Sequence, residues 1–141
     1  MNRLFRIFGF LAMIVCAGCN SDIVCTKQLK TLENKCVYIA PLKSEDPQVG
    51  EVLRDGLEKE LLRKGVAICD SNTATIFITG STFLTTRGSG SSTSQSIESV
   101  SLVGKDSSGE ILLSASYDNK EQYSASKLAK EFGSSLADKL R

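Results

Sequence analysis

Residues 36–69 read CVYIAPLKSEDPQVGEVLRDGLEKELLRKGVAIC, two apolar runs on either side of one capped amphipathic helix, and this layout decides the architecture. Cys36 to Leu42 is β-rich with little polar alternation, the pattern of a strand buried on both faces. Pro41 ends it, because proline cannot donate to a ladder. Asp46 stands where a helix cap is needed and Pro47 fits the first helical position. Val49, Val52, Leu53, Leu57 and Leu61 then recur at three- and four-residue spacing and form one apolar stripe. Lys59, Arg63 and Lys64 gather where the macrodipole favours cations, and Gly65 supplies the stop. Val66 to Cys69 restarts an apolar strand at once. A helical crossover of this length lays its two strands parallel, with the helix over one face.

Downstream, Asp70-Ser71-Asn72 is turn chemistry. Thr75 to Leu84 is the longest strand signal, with Ile76 and Ile78 on one face and Phe77, Thr79 and Phe83 on the other. Gly80 marks a bulge or close packing of another element. Thr85 to Ser96 (TTRGSGSSTSQS) is polar and glycine-punctuated, which reads as a hairpin tip or as a loop that contacts a partner. Arg87-Gly88-Ser89-Gly90 lacks the lysine-serine pair and following helix of a P-loop. Ile97 to Lys105 and Glu110 to Tyr117 flank Asp106-Ser107-Ser108-Gly109, a hairpin turn with glycine available for a left-handed position. In the second strand Ile111, Leu113, Ala115 and Tyr117 alternate with Leu112, Ser114 and Ser116, so one face is core and the other partly wet. Asp118 to Tyr123 is a connector. Ser124 or Ser126 caps a final helix in which Leu128, Phe132, Leu136 and Leu140 recur every four residues beside Ala125, Ala129 and Gly133. The expected fold is a two-layer α/β (α+β) domain over residues 36–141, in the order β-α-β-β-β-β-α. Both amphipathic helices cover the same face of one mixed sheet.

Upstream, Arg3 and Arg6 precede an apolar run from Ile7 to Ala17, and Gly18-Cys19 closes it. A basic start, a short apolar stretch and small residues before the cut are the anatomy of a secretory signal, here residues 1–18. The run is too short for a comfortable span. Ala17-Gly18-Cys19 resembles the lipobox of bacterial lipoproteins, which implies that Cys19 is acylated and becomes the new N-terminus. Cys16 stands where that family usually has leucine. Asn20 to Lys35 (NSDIVCTKQLKTLENK) is mixed and without clear period, so residues 19–35 are expected to be the lipidated cysteine and a short tether.

Loss of Arg3 and Arg6 with the leader takes the formal charge of the 141-residue chain from +1 to −1, so the chain has no electrostatic footprint for nucleic acid. Histidine is absent, which removes the commonest general base and metal ligand from this sequence. Asp46, Asp70 and Asp118 read as a cap and turn residues, and no enzyme activity, metal or cofactor is expected. Of five cysteines, Cys25, Cys36 and Cys69 remain once Cys16 leaves and Cys19 carries lipid. Cys25 and Cys36 are close enough for a loop-closing disulfide worth about 2–3 kcal/mol, with Cys69 as a buried thiol. Three separate thiols are the alternative. No CxxC spacing offers a zinc site.

The element order behind a lipidated cysteine resembles a group of bacterial envelope lipoproteins. Tyr38-Ile39-Ala40-Pro41-Leu42, the helix ending at Lys64-Gly65, Ile76-Phe77-Ile78-Thr79-Gly80 and the Leu128 to Leu140 helix are similar to the domain shared by the curli-secretion and penicillin-binding-protein-activator lipoproteins. The LPS-assembly lipoprotein that plugs an outer-membrane barrel has much the same order. The resemblance implies a non-catalytic accessory or assembly factor, held to the bilayer by Cys19 and binding an envelope protein. Alternatives are a barrel plug and, against the missing histidine, a small envelope enzyme. Asn20 is not the aspartate associated with inner-membrane retention, which implies the periplasmic face of the outer membrane. Thr85 to Ser96 is too short and polar for a curli-type pore hairpin. Arg87, Tyr117 and Tyr123 are the candidate partner contacts, because such residues dominate hot spots.

Overall fold

The computed structural model describes residues 20–89 and 92–141, so the expected leader (residues 1–18), Cys19 and positions 90–91 of the expected hairpin tip lie outside the described residues. The element order is β1 (Ser21–Cys25), α1 (Lys27–Thr31), β2 (Cys36–Ile39), α2 (Pro47–Arg63), β3 (Ala67–Ile68), β4 (Ile76–Ser89), β5 (Ser92–Lys105), β6 (Ile111–Asp118) and α3 (Ala125–Leu140). One six-stranded sheet runs β1-β6-β5-β4-β2-β3. β2 is parallel to both β3 and β4, and the other pairs are antiparallel. The chain is a mixed-sheet, two-layer α+β fold, as the periodicities require.

Alternation along the strands separates the two faces. Val37, Ile39, Ile76, Ile78, Val100, Leu102, Ala115 and Tyr117 are buried toward the helices. Their neighbours Tyr38, Phe77, Thr79, Phe83, Ser99, Ser101, Val103, Ser114 and Ser116 make the other, open face. Leu53, Leu57 and Leu61 of α2 and Leu128, Phe132, Leu136 and Leu140 of α3 complete the core, each worth about 1.5–3 kcal/mol on burial. Val52, expected in the α2 stripe, is 47% exposed, since the stripe runs instead through Gly50, Leu53, Leu57 and Glu60. The two long helices pack closely at glycines: a methyl on Gly56 would lie 2.6 Å from the Ala129 Cβ, and one on Gly133 would lie 2.8 Å from the Glu60 Cβ.

The expected caps are in place. Asp46 Oδ1 accepts the Gln48 N–H at 3.0 Å, and Ser124 Oγ accepts the Lys127 N–H at 3.4 Å. Gly65 ends α2 and Gly109 closes the β5–β6 turn, both at φ +88°.

Four features depart from the sequence reading. The segment expected as a tether is structured: β1 pairs with β6 from Ser21↔Tyr117 to Cys25↔Leu113, and Leu29 of α1 is fully buried. Thr26 secures α1, donating its N–H and hydroxyl to the Leu112 carbonyl at 2.9 and 3.1 Å. A register shift at Gly104/Lys105 turns both Leu112 and Leu113 inward and leaves Ile111 51% exposed. The expected hairpin tip is strand: β4 and β5 continue as a paired ribbon from Leu84↔Ile97 to Ser89↔Ser92.

The fourth departure is the disulfide. Cys36 is joined to Cys69, not to Cys25, with Cα atoms 5.7 Å apart, and Cys25 is a free thiol. The parallel register sets Ala67 opposite Cys36, and Cys69, just past the end of β3, donates its N–H to the Val37 carbonyl at 2.8 Å, which holds it close to Cys36. Cys25 is carried to the far side of the sheet by its pairing with Leu113.

Candidate docking surface

The strands end unevenly, and two grooves lie at the uneven end. β1 starts at Ser21 opposite Tyr117, Asp118 pairs with Ser99, and Ser99 pairs with Phe83. Beyond that row, among the described residues, only β4 and β5 continue, as a two-stranded arm. A register shift between Phe83 and Leu84 marks its root, where a bulge re-aims the strand.

Asn119 fixes this root. Its side chain is buried, and Nδ2 donates to the carbonyls of Ile97 at 2.8 Å and Tyr123 at 3.0 Å while Oδ1 accepts the Tyr123 N–H at 2.9 Å. Its own N–H donates to the Glu98 carbonyl at 2.9 Å. The β6–α3 connector is therefore bound to β5 where the arm departs. The connector turns through Gln122 at φ +54°, a left-handed position held by a non-glycine residue.

Two grooves flank the root. One, of about 310 Å³, lies between the arm and the start of α3 and is lined by Val49, Leu84, Gln95, Ile97, Tyr123 and Ala125 among others. The other, of about 430 Å³, is lined by Lys43, Ser44, Glu45, Phe83, Leu84 and Glu98 among others, with Phe83 54% exposed.

The expected contact residues separate. Arg87 lies in the arm, opposite Ser94. Tyr123 is half-buried in the first groove, with the Lys127 ammonium 4.4 Å from its ring centre. Tyr117 is not a surface anchor: it is 4% exposed, its ring lies 5.4 Å from that of Phe132, and its hydroxyl meets the Asn20 side chain. Burial pushes its phenol pKa up, and the Asn20 hydrogen bond opposes that shift. Alternation already placed Tyr117 on the core face, so the signal was available. Cys19 lies outside the described residues, next to Asn20.

A further concavity, about 430 Å³, runs between α2 and α3 and is lined by Gly56, Lys59, Glu60, Arg63, Ser126 and Lys130. Here Glu60, 5% exposed, takes both arms of Arg63, at 3.0 Å to Nε and 2.6 Å to Nη2. The Arg63 hydrogen bonds hold the Glu60 carboxyl below its usual range against the opposing effect of burial. Of the acids weighed from sequence, Asp46 caps α2, and Asp70 accepts from Asn72 and Thr73, which lowers its pKa. Asp118 lies 4.0 Å from Lys120.

No protein-family model and no curated protein matches the chain. Solved structures do match in fold. A point variant of the PelC dodecamer from Paraburkholderia phytofirmans superposes with TM-score 0.60 at 15% identity, over 86% of this chain and 98% of that one. The PelC dodecamer in a second crystal form gives TM-score 0.59 at 15% identity, over 85% and 95%. A PDZ domain protein from Parabacteroides distasonis gives TM-score 0.50 at 13% identity, over 79% of this chain and 33% of that one. At such identities the likeness is one of fold.

Proposed function

We propose that this chain is a bacterial envelope lipoprotein, held to its membrane through acylated Cys19, that works without catalysis as an accessory or assembly subunit. Its activity is protein binding, with copies of its own chain among the partners. The observation that carries the reading is the position of the N-terminus. Asn20 is already bonded to Asp118, at the sheet end where the arm and its two grooves collect. Lipid at Cys19 would bring that contact end to the bilayer, and confinement there raises the effective concentration of weak partners.

Self-assembly draws support from the PelC fold, which forms a dodecamer. β1 and β3 are the two margins of one open sheet and differ in sequence and length, as a head-to-tail contact requires. Asn20 after the acylated cysteine supports the periplasmic face of the outer membrane.

The test is to solubilise membranes in mild detergent, isolate the tagged acylated protein, measure its mass by light scattering and identify what accompanies it. A multiple of the single-chain mass, alone or with an envelope protein, is the expected result. A single chain bound inside an outer-membrane barrel would favour the plug reading instead, and a solitary monomer would contradict the subunit reading.

A further inference from the structure

The arm and the lipidated N-terminus lie at the same end of the molecule, and their dimensions conflict with an upright domain. Ser21, Tyr117, Val100 and Thr82 mark one row across the sheet, and the arm leaves just past it. From Leu84↔Ile97 to Ser89↔Ser92 the ribbon adds six residue pairs, roughly 20 Å at strand spacing. Cys19 stands only two residues before Ser21, a reach of about 7 Å. β1 and β5 are two strands apart in the sheet, or about 10 Å. An acyl chain entering the bilayer at Cys19 therefore brings the membrane closer to this row than the arm is long.

Two arrangements remain: the arm penetrates the hydrocarbon, or the domain leans until the arm lies across the headgroups. Sequence decides between them. Between Leu84 and Ile97 the paired strands read TTRGS and STSQS, without an apolar residue for either face. The outer edges of a two-stranded ribbon also carry backbone groups that hydrocarbon cannot satisfy. Alone in water such a ribbon is marginal. A headgroup layer supplies phosphate, glycerol and amine partners for the backbone groups on the outer edges of the ribbon, and Arg87 is the one charged residue between Leu84 and Ile97.

We propose that the β4–β5 arm lies in the headgroup layer of the bilayer that holds Cys19, and that it sets the tilt of the domain on that membrane. The inference rests on the lipid-anchor reading. The lean is toward the open face of the sheet, because Phe83 at the arm root and Val24 on β1, 54% and 63% exposed, both stand on that face while the helices occupy the other. The second groove, containing Phe83, Lys43 and Glu98, then faces the lipid surface.

The experiment uses the full acylated protein in vesicles of phosphatidylethanolamine and phosphatidylglycerol, a fraction of which carry a nitroxide on the headgroup. A fluorophore is placed at Ser94→Cys in the arm or at Ser107→Cys in the β5–β6 turn, both exposed positions, in a Cys25→Ala background. Gln95→Cys serves as a second arm position. A dye on the arm would sit within the ~5–10 Å interfacial layer and lose roughly half its emission or more. The Ser107 dye, about 35–40 Å away along β5 and outside the arm, should lose clearly less than either arm dye. Equal quenching at all three positions in vesicle-bound, acylated protein would overturn the arm proposal and leave the anchor standing. So would arm dyes quenched only by dyes on other copies, which would place the arm on a second chain. A mature protein without an acyl group would overturn both.

Discussion

The carbonyl of Asn20 accepts the backbone N–H of Asp118 at 2.9 Å, so the chain has joined its sheet one residue after the cysteine proposed to carry lipid. An anchor at that point is rigidly coupled to β6 and, through Asn119, to the arm root. Membrane attachment and domain orientation become one problem.

Tyr117 should behave as a core residue. Tyr117→Ala removes a ring packed on Phe132 and is expected to cost about 3–5 kcal/mol, whereas Tyr117→Phe, losing only the Asn20 contact, should cost about 0.5–1.5 kcal/mol. Chemical denaturation of the folded domain checks both. A Tyr117→Ala variant of native stability that lost partner capture would restore the interface reading.

Asn119→Ala leaves the Ile97 and Tyr123 carbonyls and the Tyr123 N–H without their side-chain partner. A loss of about 2–3 kcal/mol is expected. Faster amide exchange at the arm root should accompany it, since the connector no longer holds Ile97. Stability within about 0.5 kcal/mol of the parent, the usual range for an ordinary surface change, would show that the connector is held by packing alone.

Alkylation of the denatured, unreduced protein should modify Cys25 and spare Cys36 and Cys69. With the linked positions 33 apart in sequence, loss of the bridge in Cys36→Ala is expected to cost about 2–4 kcal/mol. Modification of Cys69 with protection of Cys25 would support the shorter loop instead.

Glu60 gives a pH signature. Its carboxyl titrates lower in the folded protein than its ordinary value of 4.5. The stability it contributes is thus full above the unfolded value and disappears as pH falls through the folded one. Asp70 and Asp106 are depressed as well and act in the same direction, so the difference between parent and Glu60→Gln isolates one group. That difference should be present at neutral pH and shrink below about pH 4.5. A constant difference down to pH 3 would mean that the Arg63 pairing contributes nothing to folding.

The strand-helix-strand of residues 36–69, the last hairpin and α3 were legible because each carries its own period, cap or turn residues. β1 and α1 were not. SDIVC buries little by itself and becomes a strand only by pairing with residues more than eighty positions away, and KQLKT is a helix of five residues with one buried side chain, Leu29. The arm was missed because its threonines and serines suit a ribbon yet carry no apolar alternation. The Cys36–Cys69 bridge was accessible in principle, since a parallel crossover beginning at one cysteine and ending at the other brings the two together. Sequence proximity pointed to Cys25 instead. At the candidate site, Tyr123 was legible and lines a groove at the arm root, while Asn119 was hidden in what looked like an ordinary connector.

The most direct test of the anchored-domain account is the mass of the N-terminal peptide of the protein recovered from its native membranes. The account predicts a mature chain beginning at Cys19, bearing two or more acyl groups and found in the membrane fraction, with Cys19→Ala moving the protein to the soluble envelope fraction. A mature protein that begins elsewhere, or keeps a free thiol at Cys19 and fractionates as soluble, would contradict it.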